Sequence, residues 1–429
     1  MGTVLAADGQ LARSADPAPL KQLLSRGVTA GSVESGLSFA ASLTGGAEGI
    51  RAGPFMLRIP GAPKPLELVL ERPRIEADFL DAVARIHNVS GAFAGGLRLD
   101  MLEISEGAPA PDGPGTRGQS VGKPRPLRMD SPLYFGDLPP GADAAVPLHV
   151  GPLNLTPGSP FAILRGIVSG AAAFGTVEIP DVSDAVALDA DGQGVVYVGD
   201  GAGQAIFLLG PQASAQRRIA AGCFLTGIAV RRKTGEAYGT CRDVTALLKL
   251  TAAGKLTKTE DVGRSLGPLR FGATGSFYGL PADSVVRLEG LSIKEEASRI
   301  SGTPFHAIGF DVDSNGAIWV VTVPPEGRLL RIRSKEDVAV AAAPGDGLGA
   351  LGNPRTCRAS PDGEVYVLQS ADRQRPPRID AFDRSGDFLR RWVLPAGTPV
   401  DLAFGTQDRL LVLWKHENGR AAVSVYRLF

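Results

Sequence analysis

The sequence predicts an all-β protein of two domains, a β-sandwich over residues 35–172 and a six-bladed β-propeller over residues 176–429. Three observations carry this expectation. An apolar strand, a glycine-containing turn and an aromatic-bearing strand recur six times between Asp184 and Trp414. The turn residues fall at Gly192, Gly235, Gly275, Gly316, Gly363 and Asp408, in steps of 43, 40, 41, 47 and 45 residues, which suits one four-stranded blade per step. The 55 glycines and 33 prolines against 6% aromatics fit short strands joined by tight turns. Finally, seven short apolar runs separated by turn residues lie between Gly36 and Gly170, the pattern of a sandwich.

Residues 1–34 read as an arm, interrupted at Pro17 and Pro19, with one or two helical turns at Leu20–Leu24. The sandwich strands are expected at Leu37–Leu43, Phe55–Ile59, Leu66–Leu70, Phe79–Ile86, Leu97–Ile104, Ala144–Val150 and Phe161–Val168. The stretch from Glu106 to Pro126 is too rich in Pro and Gly for regular structure and reads as a long solvated loop. A boundary is expected near Ala171–Gly175. The alternating phrase Ala82–Gly91 and the Pro-Gly turn and strand of Leu138–Val150 resemble phrases of bacterial immunoglobulin-like domains. No Cys-Trp-Cys core is present, so an antibody-type domain is excluded.

In the second half, Pro361-Asp362-Gly363-Glu364-Val365-Tyr366-Val367, followed by Arg378–Trp392, resembles an NHL repeat, and Phe310–Val320 is similar to the same family. The residues themselves supply the physics. Asp-Gly or Asn-Gly provides the positive φ of a tight turn, and a large aromatic three residues later packs between neighbouring blades. That residue is Tyr238, Tyr278, Trp319 or Tyr366; the first repeat delays it to Tyr197 and the sixth substitutes Leu411. The chain ends in Val423–Leu428, which leaves no residues for a fourth strand, so Thr176–Ile179 is expected to complete the last blade and close the ring.

Composition excludes several functions. Lys plus Arg and Asp plus Glu both total 45, so no overall field favours nucleic acid or an anionic membrane. There is no run of 18 apolar residues, and Met1–Ala30 lacks the basic-then-apolar order of a secretory leader. The chain then reads as cytoplasmic, or as extracytoplasmic if Met1 replaces a removed leader, and the compartment stays open. Cys223 and Cys241 flank one predicted hairpin and either face each other as a disulfide or remain two buried thiols. Cys357 reads as a small core hydrophobe.

Catalytic text is scarce. The histidines are His87, His149, His306 and His416, which do not furnish a three-histidine zinc centre in one domain. Resemblance to NHL-like propellers implies relatives that include metal-dependent lyases, and related lactonases hold calcium at the channel. The strand starts here offer Asp184, Arg270, His306, Arg355 and Asp401, a mixed and partly cationic set that disfavours calcium. These five are the candidate binding mouth, unless they pair with one another or with water. Arg231-Arg232-Lys233 is a basic turn on the second repeat with no companion stripe for RNA phosphate. Neither a Walker loop nor a Gly-x-Ser-x-Gly elbow occurs.

The expected function is a non-catalytic binding or scaffolding protein that uses propeller faces and loops to engage another protein or a copy of itself, with no cofactor. One rival is a structural surface subunit of a larger assembly. The other is a propeller lyase or lactonase using Asp184, His306 and Asp401.

Overall fold

A computed structural model describes residues 4–5, 11–12, 37–43 and most of 54–429; the longest gaps are 109–119, 128–132, 155–160, 211–215 and 299–305. The predicted arm, apart from two short strands, and residues 109–119 of the predicted loop lie outside the described residues. The described residues are all-β, and they contain no helix long and apolar enough to cross a membrane. The chain divides into two units, Met1–Phe174 with Leu428–Phe429, and Gly175–Arg427.

In the first unit six of the seven expected runs lie in strands, and the run Phe55–Ile59 is a strand as far as Leu57. One sheet has the order Asp143–Val150, Phe79–His87, Leu66–Glu76, Phe55–Leu57. In the other, Phe161–Ile179 pairs with Leu37–Leu43 on one side and Ala94–Ala108 on the other, and Leu133–Leu138 pairs beyond Ala94–Ala108. Alternate residues of both sheets, among them Leu66, Leu68, Leu80, Ile86, Leu97, Leu99 and Ile104, are fully buried in one core. This burial is what period-two patterning produces when one face of each sheet meets the other. Leu133–Leu138 has no counterpart among the expected runs. The Pro- and Gly-rich segment also holds short strands, Ser120–Val121 and Arg125–Pro126, that pair with Ala94–Ala108. Backbone pairing there outweighs the composition on which the loop was expected.

In the second unit five four-stranded antiparallel sheets follow one another along the chain, each in simple meander order. They begin at Ala185–Ala190, Leu225–Arg231, Leu269–Phe271, Ala307–Val312 and Pro354–Ala359. Thr398–Phe404, Arg409–Lys415 and Ala421–Leu428 form the next sheet, and Phe161–Ile179 is the strand hydrogen-bonded beyond Ala421–Leu428. Thr176 Oγ1 lies 2.9 Å from Ser424 Oγ, and Ile179 is buried with Leu411, Leu413 and Val423. The first strands of the sheets adjoin in chain order, and that of the sixth returns to that of the first.

The turns correct one detail of the repeat. Gly235, Gly275, Gly316 and Gly363 have φ between +70° and +88°, as tight turns require. In the first sheet the left-handed residue is Gly194 (φ +85°) and not Gly192. Gly192 is needed for another reason, since a Cβ there would stand 2.8 Å from the Arg232 carbonyl oxygen of the next sheet. Counted from Gly194, Tyr197 keeps the three-residue spacing of Tyr238, Tyr278, Trp319 and Tyr366 and is not delayed.

Candidate active site

Register fixes the site. In every sheet of the second unit the aromatic position lies directly opposite one residue of the first strand: Asp189 faces Tyr197, Ala229 faces Tyr238, Arg270 faces Tyr278, Asp311 faces Trp319, Arg358 faces Tyr366, and Ala403 faces Leu411. Directly opposed residues of an antiparallel pair share a face of the sheet. The aromatic side therefore marks six equivalent inner positions, of which four are charged.

The carboxylates among them join adjacent sheets. Asp189 accepts the amides of Ala190 at 2.9 Å and Val230 at 2.8 Å. Asp311 accepts those of Val312 at 2.9 Å and Ala359 at 2.8 Å. Asp401, two residues before Ala403, accepts those of Leu402 at 2.8 Å and Leu188 at 2.9 Å. In each case one amide belongs to the next residue along the strand and the other to the adjoining sheet.

Two guanidiniums cross between these carboxylates. Arg270 Nη2 is 3.5 Å and Arg358 Nη2 is 3.2 Å from Asp401, and all three side chains are more than 90% buried. Arg358 also donates to the carbonyls of Leu402 and Leu188, spanning three sheets. Burial works against the Arg358 cation, and the Asp401, Asp189 and Asp311 carboxylates outweigh it, raising its pKa. For Arg270 burial and the neighbouring Arg358 prevail and lower it. Arg270 Nη1 donates to its neighbour's carbonyl, but its buried Nε meets no acceptor among the described residues.

Asp311 is the acid of this group. It is 8% exposed, and burial pushes its pKa above the usual carboxylate value even though Arg358, Arg270 and the two amides oppose the shift. The cluster of Asp189, Asp311 and Asp401 with Arg270 and Arg358 carries one more negative than positive charge when fully ionised.

Four of these five, Asp189, Arg270, Asp311 and Arg358, floor a cavity of about 490 Å³, lined also by the Arg231–Thr234 turn, Phe271 and Phe404. It opens among the hairpin turns that follow the first strands. The Arg231 guanidinium lies 5.2 Å from the Phe271 ring centre. Arg232 donates to the Phe404 carbonyl of the sixth sheet.

Of the five residues expected at a mouth, Arg270 and Asp401 come together in the buried cluster. Asp184 pairs instead with Lys415 at 2.8 Å. Arg355 donates to Ser370 Oγ at 2.7 Å, and His306 is exposed at the start of its strand. None of these three lines the cavity, which lies at the other end of the strands. Asp189, Asp311 and Arg358 were missed, although the sequence held a signal for them: each stands eight residues before the aromatic of its repeat.

A divalent cation does not fit the cavity. Its two carboxylates already accept backbone amides and have guanidiniums between them, whereas such a cation needs several oxygen or imidazole donors free of competing cations. Among the described residues no group of three or more His, Cys, Asp and Glu is poised to hold a metal. Cys223 and Cys241 are joined by a disulfide with Cα atoms 5.8 Å apart. Cys357 is fully buried, its thiol directed at the Trp319 carbonyl and its pKa raised by burial.

No family model and no curated protein matches the chain. Among solved structures it is similar to a streptogramin B lyase (13% identity, TM-score 0.45, covering 59% of this chain and 98% of that one). It is likewise similar to a gluconolactonase from Xanthomonas campestris (15%, 0.47, 61% and 90%). A luciferin-regenerating enzyme is a third such neighbour (12%, 0.45, 59% and 95%). These neighbours have propeller folds, and the second unit is propeller-like in the same coarse sense. The expectation of a non-catalytic protein is corrected to this extent: the three neighbours are enzymes by their names, and at 12–15% identity the likeness itself concerns the fold.

Proposed function

We propose that residues 176–429 form a six-bladed, NHL-like propeller, preceded by an immunoglobulin-like sandwich, and that the cavity is the active site of a lyase or lactonase. The observation that carries this is Asp311, a buried acid with a raised pKa that lines a cavity beside a guanidinium with an unused donor. A carboxyl group titrating nearer neutrality than usual is suited to proton transfer. A fixed guanidinium in a water-poor site stabilises oxyanion charge as it develops.

The chemistry that needs no further group is elimination. Asp311 in its ionised form takes the proton next to a carbonyl, and Arg270 receives the charge that develops on the carbonyl oxygen. The C–H electron pair becomes a Cα–Cβ double bond as the bond from Cβ to the ester or lactone oxygen breaks, and that oxygen leaves with the bond's electrons as part of a carboxylate. The proton stays on Asp311 until product departs. Each Asp311 oxygen accepts one amide and has a further lone pair for this step.

The test is incubation of the full chain with a panel of lactones and cyclic esters, followed by mass spectrometry. Elimination gives an opened product of unchanged mass, while hydrolysis adds one water. Asp311→Asn should lose turnover while keeping its fold by circular dichroism. Absence of turnover over the whole panel, or undiminished turnover in Asp311→Asn, would sink the proposal.

A further inference from the structure

The second repeat's basic turn lies at the cavity and has no part in the chemistry just described. Arg231, Arg232 and Lys233 all line it, together with Arg270 and Arg358, against the two carboxylates Asp189 and Asp311. Lys233 is exposed and meets no ion-pair partner among the described residues. At the floor, the Arg270 Nε is buried and unsatisfied. A buried donor left without an acceptor is costly, and a site framed by one sign of charge with low-dielectric walls concentrates the opposite sign.

From these features we infer that the cavity binds a small dianion. One anionic group is received by Arg270 at the floor, and the other by Lys233 at the rim, where the neighbouring Arg231 already pairs with Glu236 at 3.4 Å. The apolar part of the ligand lies against Phe271 and Phe404, the two aromatic rings of the lining. With Nη1 on the Leu269 carbonyl and Nη2 on Asp401, Arg270 has Nε left to meet a single anionic oxygen, of carboxylate or phosphate alike. The rim lysine acts as a point charge and accepts carboxylate or phosphate alike. This inference rests on the catalytic reading of the same cavity and narrows its substrates to esters or lactones that carry anionic groups.

Calorimetric titration of the full chain with succinate, citrate and inorganic phosphate, with the uncharged succinamide as control, tests it. Succinate should bind and weaken as salt rises, and succinamide should not bind. Lys233→Glu, an exposed change that leaves the core intact, should weaken succinate at least tenfold, and Arg270→Gln should do so as well if it folds. Equal binding of succinate and succinamide would overturn the inference, as would an unchanged affinity in Lys233→Glu or no binding by any of the three anions. Turnover of a neutral lactone that succinate fails to inhibit would remove this inference and keep the catalytic one. Succinate binding without turnover of any ester would do the reverse.

Discussion

Asp189 in the first sheet of the second unit accepts the amide of Val230 in the adjoining sheet at 2.8 Å, while its other oxygen takes the amide of Ala190. Asp311 repeats the arrangement with Ala359. A carboxylate so placed ties the inner strands of two sheets together where their apolar faces do not reach. Asp189→Ala leaves the Val230 amide without its acceptor and should cost about 2 kcal/mol, the range for a hydrogen bond to a charged group. Urea unfolding measures this, and a change below about 0.5 kcal/mol would show that the bond contributes little.

Asp401 holds two buried guanidiniums at once. Its removal leaves both cations uncompensated, so Asp401→Ala should destabilise by about 3 to 5 kcal/mol, more than Asp189→Ala. Equilibrium denaturation of the two variants side by side checks the order. Equal losses would mean that the amide bonds, and not the ion cluster, hold the centre of the unit.

Asp311 gives stability a pH dependence of known sign. Its pKa in the folded state is raised above the ordinary carboxylate value, so the folded state holds the proton more tightly than the unfolded one. The stabilisation is therefore full below the unfolded value and is lost as pH rises through the folded one. Asp380 shifts the same way, so the readout is the difference between wild type and Asp311→Asn across pH 4 to 8. Wild type should lose more stability than the variant as pH rises, and parallel curves would refute the assignment.

The Cys223–Cys241 bridge spans a sequence separation of 18 residues. Closing a loop of that length in the unfolded chain is worth about 3 kcal/mol in the chain-entropy model. Thermal unfolding with and without reductant should show a lower Tm for the reduced protein. Thiol titration of the unreduced, denatured chain should find Cys357 alone.

Gly227 tests packing between the first strands. A Cβ there would lie 2.7 Å from the Gly267 carbonyl oxygen and 3.0 Å from Pro268 Cα, both backbone atoms of the adjoining segment. Gly316 has φ +84° and open space around the added atom. Gly316→Ala should thus cost about 1 kcal/mol, the ordinary penalty for a left-handed alanine. Gly227→Ala should cost more, because backbone must move. Comparable melting temperatures for the two variants would contradict this.

By itself the sequence determined the all-β class, the apolar runs of the first unit, the repeat with its turn glycines Gly235, Gly275, Gly316 and Gly363, and Thr176–Ile179 as partner of the last strand. All of these rest on local patterns, since the period of apolar residues and the conformational demands of glycine act within a few positions of the chain. Which charged residues meet was decided only by the tertiary structure. Arg270 and Asp401 are 131 residues apart, and Asp401 reaches Leu188 across 213. Arg270 shares the eight-residue spacing to the aromatic of its repeat, but nothing in the local text distinguishes Asp401 from Asp184 or Arg355, which pair elsewhere. The end of the strands at which the cavity lies was equally hidden. That depends on which side chains fill the centre once the first strands adjoin, a matter of packing volume and charge pairing between sheets and not of any one repeat.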